Sequence, residues 1–383
     1  MNPHTTLPSP LPAPFETAVK SKRGDSRIFA GAGLLARAGE LLAANTPARR
    51  VIIAADENAA KRHLPALEAS LAAAGIRCST CVVPAGEESK SITGLSRLWD
   101  EFHKAGITRS DMVVAFGGGV TGDLAGFASA TWLRGVPVAQ IPTTLLAMVD
   151  SAIGGKTAID LPCGKNLAGA FHQPRLVLID PELLSSLPPS RFSEGMAEVI
   201  KYGCIMDAGL FEQLENRGSA PLPPAALESV ICRCAQLKAE TVSRDEFDTG
   251  ERMLLNFGHT FGHALEKVLG YSSISHGEAV AIGMASAALA GEKLSITPSG
   301  TSARIAAVAR SFSLPATVGE FLEREARAAA NPLRRSPPLE ELAEAMLADK
   351  KNLSGQIQLI LLNRIGAAIA TPFPCSQLRD IFI

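Results

Sequence analysis

Residues 112–123 read MVVAFGGGVTGD. The first five of these residues are apolar, which is typical of a buried strand, and they run directly into a glycine-rich turn and a helical pattern. Gly117, Gly119 and Gly122 have GxGxxG spacing, in which glycines let the backbone approach a pyrophosphate at a helix N-terminus. The stretch therefore predicts a nucleotide-binding strand, turn and helix; the alternative is an ordinary tight turn.

This turn departs from the usual dinucleotide-binding order. An acidic residue about 20 positions further on normally holds the ribose, and none stands there. Asp56 ends an earlier strand-like run and could make that contact instead. We therefore expect a dinucleotide site in an unusual arrangement.

On both sides of this turn, the first half of the chain alternates short apolar runs with helical patterns. The other expected strands are RVIIAAD (50–56), CSTCVVP (78–84), PVAQIP (137–142) and LVLID (176–180). Such alternation predicts an α/β domain with a mainly parallel sheet.

The pattern becomes mostly helical after the proline pair at 188–189, and one strand-like run, QIQLILLN (356–363), interrupts it. The run AVAIGMASAALA is short and rich in small residues, so we expect a buried helix. We predict three parts: a disordered, Pro-rich tail at 1–25, a nucleotide-binding α/β domain at 26–187, and a mostly α-helical domain at 188–383.

The composition narrows the class of protein. The chain has 383 residues, is 46% hydrophobic and has a net charge of -1, which argues against a nucleic-acid surface and for a small-molecule partner. It has no signal-peptide segment and no long apolar run, so no membrane span is expected. Seven scattered cysteines fit reduced thiols of a cytoplasmic protein. The CxxC of Cys78 and Cys81 lacks a second such pair and lies in a strand-like run, so we interpret it as structural.

The stretch RMLLNFGHTFGHALE (252–266) suggests a site. On one helix, Arg252, Asn256, His259 and His263 would fall within roughly 60° of arc. That stripe has no Lys, which suits a cleft better than an open solvent face. The alternative is a pair of hydrogen-bonded core histidines.

Other chemistry-bearing residues occur in apolar surroundings. Lys156 and Lys165 stand in the glycine-rich stretch 142–166 and predict an anion pocket, with phosphate as the expected anion; the alternative is a solvated loop. Glu198 and Lys201 are three residues apart and would be neighbours on a helix, either in a site or as a surface ion pair.

A metal site is the sharper hypothesis. His276 precedes an apolar helix, and Glu198, His259 and His276 would make a Glu/His/His set for a divalent cation with an open position for substrate. Spacing alone does not show whether His259 or His263 would be the metal ligand.

Six motifs occur in collinear order over about residues 27–370 and resemble the 3-dehydroquinate synthase family: GGGVTGDLAGFASA, PTTLLAMVDSAIGGKTAID, GKNLAGAFHQP, GMAEVIKYG, LLNFGHTFGHALE and HGEAVAIGM. The resemblance implies an NAD-binding domain followed by a helical metal-binding domain. It implies conversion of 3-deoxy-D-arabino-heptulosonate 7-phosphate to 3-dehydroquinate and phosphate, in the shikimate pathway of aromatic amino acid biosynthesis. Transient NAD-dependent oxidation, phosphate elimination, reduction and intramolecular aldol closure are implied, with zinc or cobalt as the metal.

The resemblance also implies roles for individual residues. The metal ligands would be Glu198, His259 and His276. Arg134, in WLRG, resembles an arginine that reaches the partner subunit's site, which implies a homodimer. The residues implied around the substrate are Asp150, Lys156, Lys165, Asn166, Lys201, Lys238, Arg252, Asn256, His263 and Lys351 or its neighbour Lys350. Those implied around NAD are Asp56, Asn58, Glu87, Lys90, Gly118, Gly119, Val120, Asp123, Thr143, Thr144, Lys156 and Lys165.

The chain departs from the family pattern in three places. Ala85 replaces a common Asp, DEFD (245–248) replaces DERE, and Glu251 replaces a small or apolar residue. None of these changes removes an implied ligand or lysine. The rival hypotheses are another sugar phosphate cyclase, a metal-dependent alcohol dehydrogenase on the same fold, and a non-catalytic binding protein. The intact GGK and GKN segments and the full set of ligands argue against them.

Overall fold

The computed structural model describes residues 13–22, 24–270, 273–328, 337–349 and 355–382. They fall into two compact units. The first comprises the described residues up to Ala18, Asp25–Thr143 and Thr157–Ser185, and the second comprises the remaining described residues, including Thr144–Lys156 and those from Ser186 onward.

The first unit contains a seven-stranded sheet in the order β1-β2-β9-β6-β5-β3-β4, and a separate hairpin of β7 and β8. The strands are β1 (Phe15–Val19), β2 (Ser26–Ala30), β3 (Arg50–Asp56), β4 (Arg77–Val83), β5 (Met112–Gly117), β6 (Val138–Pro142), β7 (Lys156–Leu161), β8 (Gly164–Phe171) and β9 (Leu176–Ile179). All the pairings from β2 across to β4 are parallel, which confirms the predicted α/β class.

Four helices connect these strands: α1 (Ala38–Asn45), α2 (Glu57–Ala73), α3 (Ile92–Lys104) and α4 (Gly119–Thr131). Every residue of β5 and β6 is buried, as expected for central strands of a parallel sheet that is covered on both faces. The core beneath α3 contains Leu98, Phe102 and Val113. Cys78 and Cys81 both lie within β4.

The prediction of a disordered tail at 1–25 is wrong for β1, which takes its place at the edge of the sheet beside β2. Val19 at its end has no solvent exposure. Pairing with β2 gives the backbone partners that the Pro-rich sequence did not reveal. Residues 1–12 lie outside the described residues.

The second unit is mainly helical. Its helices are α5 (Pro189–Ile205), α6 (Ala208–Arg217), α7 (Pro224–Arg244), α8 (His259–Leu269), α9 (His276–Lys293), α10 (Thr301–Ser311), α11 (Val318–Ala328), α12 (Leu339–Asp349) and α13 (Leu378–Phe382). Strands β10 (Gln356–Arg364) and β11 (Ala367–Pro374) pair as an antiparallel hairpin, so the late strand is confirmed. The expected buried helix is α9. Across the described ranges, no helix combines the length and the apolarity that a membrane crossing needs.

Residues 252–266 do not form one helix, so the prediction of a single polar stripe is wrong. Glu251–Asn256 form a 3-10 turn, Phe257 is extended, and α8 begins only at His259. Gly258 breaks the helix because its φ is 80°, and an added Cβ there would lie 2.6 Å from the side chain of Met284. This break makes His259 the first residue of α8.

The segment Thr144–Lys156 packs with the helical unit, although we expected it in the α/β domain. A π-helical turn at Ala147–Ser151 lies against α5 and α7 and buries Met148 and Val149. The apolar side chains of this turn explain the difference, because they complete the core of the second unit and carry Asp150 with them.

Candidate functional site

The helical unit brings Glu198, His259 and His276 together. Glu198 lies on α5, and the two histidines are the first residues of α8 and α9. Glu198 Oε1 is 3.5 Å from His276 Nε2 and 3.6 Å from His259 Nε2. These distances lie at the upper limit for a hydrogen bond. They are close to the separation of about 3.4 Å that two ligands have on a tetrahedral zinc ion with bonds of about 2.1 Å.

Glu198 is a buried carboxylate that stays ionised. It is only 1% exposed, and within the described ranges neither oxygen accepts a well-aligned hydrogen bond, although Lys201 Nζ forms an ion pair with Oε2. Burial by itself would raise its pKa, but the charge of Lys201 and the neighbouring imidazoles outweigh burial and hold the pKa at about 2. The three side chains therefore fit a divalent ion by both spacing and charge.

Each histidine has a partner behind it. His259 Nδ1 lies 3.2 Å from the carbonyl oxygen of Phe257, and His276 Nδ1 lies 3.5 Å from Glu266 Oε1. Metal-binding histidines usually donate their other N–H to such a carbonyl or carboxylate. Sequence reasoning missed Glu266, and its only signal was its position at the border of the histidine motif.

His263 occupies a different position from His259. Its ring centroid is 5.4 Å from that of His259 and 6.2 Å from that of His276. It belongs to a second group of possible metal donors, with Glu266 and His276, and is absent from the first, with Glu198. The geometry thus separates the two histidines that sequence spacing could not.

A second network in this unit centres on Asp150. Asp150 Oδ1 accepts hydrogen bonds from Tyr202 Oη and Lys238 Nζ, both at 2.7 Å. Burial would raise the pKa of Asp150, but Lys238 and Lys201 hold it well below its usual range. Burial lowers the pKa of Lys238 to about 8, and Asp150 only partly opposes this effect. Sequence reasoning missed Tyr202, whose only signal was its place beside Lys201.

Arg252 is held by backbone carbonyls. It is 2% exposed, and it donates to the carbonyl oxygens of Glu246 at 2.8 Å and Gly154 at 3.2 Å. Lys156 is half-exposed and forms an ion pair with Asp248. Of the other predicted residues, Asn256 ends the 3-10 turn, and the Thr144 hydroxyl accepts a hydrogen bond from the Ala147 N–H. Lys350 and Lys351 fall outside the described residues.

In the first unit, Asp56, Gly117 and Thr143 stand at the carboxyl ends of β3, β5 and β6. The chain leaves β3 for β4 on one side and returns to β5 on the other, so a topological switch point lies there, where nucleotides bind in such sheets. A Cβ at Gly117 would come within 2.8 Å of the Asp56 Cβ, so this position needs a glycine.

The N-terminus of α4 lies at the same edge. Gly118 is its N-cap, and no side chain in the described part of the chain caps it, so its first N–H groups can bind an anion. The predicted residues Gly118, Gly119 and Val120 form this start of the helix. Asp56 Oδ1 accepts from the backbone N–H groups of Asn58 and Ala59 at 2.8 and 3.1 Å and caps α2.

Lys90 joins two predicted groups. Its Nζ donates to Asp123 Oδ2 at 2.6 Å and also to Asn166 Oδ1. Asn166 has a positive φ of 57° in the β8 hairpin, next to the half-buried Lys165. Two other predicted residues are exposed: Glu87 in a short 3-10 turn, and Arg134 in the turn after α4, where its φ is 66°.

Comparisons with known proteins agree along the chain. Residues 80–194 match the 3-dehydroquinate synthase N-terminal family, and residues 195–352 match the 3-dehydroquinate synthase C-terminal family. The 3-dehydroquinate synthase of Pelobacter propionicus is 44% identical over 336 residues, covering 87% of this chain and 89% of the relative. That of Paracoccus denitrificans is 46% identical over 349 residues, covering 91% and 92%.

Solved structures share the fold. A 2-epi-5-epi-valiolone synthase from Streptomyces hygroscopicus, with NAD+ and Zn2+ bound, superposes with a TM-score of 0.79 at 29% identity over 93% of this chain and 94% of its own. A 2-deoxy-scyllo-inosose synthase complexed with carbaglucose-6-phosphate, NAD+ and Co2+ gives 0.82 at 24% identity, over 96% and 99%. An iron-containing alcohol dehydrogenase gives 0.61 at 17% identity, over 93% and 95%. The last two likenesses concern the fold alone.

Proposed function

Because this chain belongs to the 3-dehydroquinate synthase family, phosphate-eliminating lyases of the shikimate pathway, we propose that Glu198, His259 and His276 hold a divalent metal ion for that reaction. The observation that carries this proposal is the buried carboxylate facing two imidazole nitrogens at 3.5 and 3.6 Å. The solved 2-epi-5-epi-valiolone synthase with NAD+ and Zn2+ bound, at 29% identity, supports it.

We propose that NAD binds at the carboxyl end of the parallel sheet. The supporting features are the uncapped start of α4, the close approach of Gly117 to Asp56, and the switch point between β3 and β5. The further residues proposed to contact NAD are Asn58, Glu87, Lys90, Gly118, Gly119, Val120, Asp123, Thr143, Thr144, Lys156 and Lys165.

When bound, the metal ion supplies Lewis acidity to a substrate oxygen, and NAD supplies a hydride acceptor that is restored within each turnover. The protein side chains orient the substrate and stabilise its charge. Lys201 lies against Glu198 with 2% of its side chain exposed, so its positive charge is held next to the proposed metal position. Lys238 and Arg252 are also buried cations, and they would bind the phosphate and carboxylate of the sugar acid.

His263 is proposed to act on the substrate and not on the metal, because it stands beside the two histidine ligands without facing Glu198. Buried cations near a leaving phosphate lower the free energy of the departing anion. Phosphate elimination becomes faster because negative charge builds up on that group in the transition state. The further residues proposed to contact the substrate are Asp150, Lys156, Lys165, Asn166, Asn256 and Lys351.

We also propose a cytoplasmic homodimer in which Arg134 contributes to the partner subunit's site. Arg134 is exposed and lies in the tight turn after α4, where its φ is 66°. The seven cysteines are free thiols, in keeping with a reducing compartment. Mixing an Arg134→Ala chain with an inactive His263→Ala chain should restore part of the activity if the sites are shared, and restoration would be absent if each chain acts alone.

The reaction is tested with 3-deoxy-D-arabino-heptulosonate 7-phosphate, NAD and Zn2+. Phosphate and 3-dehydroquinate should form in equal amounts without accumulation of NADH. A chelator should stop both, and added Zn2+ should restore them. Phosphate release that persists after chelation would refute the metal proposal, and net NADH would instead indicate a dehydrogenase.

A further inference from the structure

Glu266 lies behind the proposed metal ligand His276. It is on α8, the same helix as His259, and only 5% of it is exposed. Its Oε1 is 3.5 Å from His276 Nδ1, whereas His276 Nε2 faces Glu198. The imidazole of His276 therefore stands between two buried carboxylates.

A neutral imidazole carries one proton, so only one of its nitrogens can bind a metal ion. A carboxylate next to Nδ1 keeps the proton on that nitrogen and leaves the lone pair of Nε2 directed at Glu198. Without that carboxylate, either nitrogen could carry the proton and the ring could turn. Glu266 is thus placed to favour the orientation of the His276 ring in which Nε2 points toward Glu198.

Packing alone does not hold this ring. The side chain of His276 is 36% exposed, whereas that of His259 is 12% exposed. The backbone at His276 is fixed by a capping box of Ser275 and Glu278 at the start of α9, but a cap does not set the rotation of the ring. The ring is therefore the most exposed part of the proposed metal site.

The choice matters because a competing donor set exists. His263, Glu266 and His276 could also hold an ion, since their donor atoms all lie within 4.8 Å of one another. An ion there would occupy His263, which is proposed to act on the substrate.

We propose that Glu266 is a positioning residue that directs Nε2 of His276 toward Glu198, and thereby raises the affinity of Glu198, His259 and His276 for the divalent ion. This inference rests on the proposed metal role of Glu198, His259 and His276. Glu266 itself contacts neither the ion nor the substrate.

The test is a Glu266→Gln variant, which keeps the shape of the side chain and removes its charge. Zn2+ affinity, measured by competition with a chromogenic chelator, should fall roughly 10- to 100-fold. The visible absorption of Co2+-loaded protein should also change, because the orientation of one ligand is no longer fixed. A Glu266→Asp variant, which retains the charge, should recover part of the affinity.

Glu292→Gln is the matched control. Glu292 is at the far end of α9, where its carboxylate accepts the Ser302 N–H at 2.6 Å, so the variant also loses a charge-assisted bond but should bind Zn2+ like the wild type. If the wild type binds no Zn2+, the metal proposal itself fails.

If the wild type and Glu266→Gln bind one ion with equal affinity and the same Co2+ spectrum, only the role of Glu266 is overturned. Two ions per wild-type chain, one of which is lost in Glu266→Gln, would also overturn it, because Glu266 would then be a ligand. If circular dichroism shows that Glu266→Gln is unfolded, Glu266→Asp decides: weakened Zn2+ affinity and a changed spectrum support the role, and wild-type values overturn it.

Discussion

The hydroxyl of Tyr202 donates a 2.7 Å hydrogen bond to Asp150 Oδ1 from a position with no solvent exposure. The same oxygen accepts from Lys238 Nζ, so Tyr202 holds the carboxylate that in turn holds the lysine. Burial raises the pKa of Tyr202 well above its usual value, so the hydroxyl stays a donor.

Replacement of Tyr202 by Phe should therefore lower activity as well as stability. The loss of a hydrogen bond to a charged group costs about 1.5–3 kcal/mol, measured as the free energy of unfolding. We expect kcat/KM to fall about 10-fold or more, because this energy also orients Asp150 and Lys238. Thr297→Val is the control: it removes a buried hydroxyl bonded to the Leu362 carbonyl and should lose stability only. Equal loss of activity in both variants would contradict the role of Tyr202.

The pH dependence of kcat/KM should report Lys238. Burial lowers the pKa of this lysine to about 8, so it is charged below that pH and neutral above it. Because the charged form would bind the anionic substrate, kcat/KM should fall above pH about 8. Lys238→Arg should move this fall to higher pH, since arginine keeps its proton.

The free energy of unfolding should change with pH in the opposite direction to kcat/KM. Between about 8 and the usual lysine pKa, the unfolded chain binds more protons than the folded chain, so the contribution of Lys238 to the unfolding free energy increases with pH. Lys267→Met, on the exposed face of α8, should leave both profiles unchanged. If kcat/KM of Lys238→Arg falls at the same alkaline pH as that of the wild type, Lys238 does not cause the fall.

The two histidines of α8 should separate metal binding from turnover. His259→Ala should lose the ion, because it removes one of three donors around Glu198. His263→Ala should keep one ion per chain and lose turnover. Metal binding is measured as the metal content after dialysis, and turnover is measured as phosphate release. Equal metal loss in both variants would show that His259 is not distinguished from His263 as a ligand beside Glu198.

Much of the fold could be predicted from the sequence, and the exceptions have physical causes. β3, β5, β6 and β9 are contiguous apolar runs because both faces of the sheet are covered. The β7–β8 hairpin is half-exposed and mixes polar and apolar residues, so no regular spacing of apolar residues predicted these strands.

The helix break at Gly258 was hidden for a different reason. The helical spacing of apolar residues continues through Gly258. The presence of a glycine in a sequence does not by itself show that its φ is positive. Glu266 and Tyr202 are likewise invisible as site residues, because their partners His276 and Asp150 belong to other segments of the chain and are brought near only by tertiary packing.

The ion pair of Lys156 and Asp248 should compete with the substrate phosphate. The Lys156 side chain is 52% exposed, and exposed pairs are worth about 0.2–1 kcal/mol. Asp248→Asn should therefore lower KM by no more than about fivefold, with kcat nearly unchanged, whereas Lys156→Met should raise KM. Glu215→Gln, which removes the partly exposed pair with Arg304, should leave KM alone. A rise of KM in Asp248→Asn would mean that Asp248 positions Lys156 for the substrate.

NAD binding should depend on Asp56 beyond its role as a helix cap. Asp56→Ala removes the cap of α2, which costs about 0.5–2 kcal/mol in unfolding free energy. It should also weaken NAD binding, measured by calorimetric titration, because it removes the acidic group at the switch point beside Gly117. Asp207→Ala removes the equivalent cap of α6 in the helical unit, so it should lose stability and keep the affinity for NAD. If both variants bind NAD as tightly as the wild type, Asp56 acts only as a cap and the ribose contact must come from another residue.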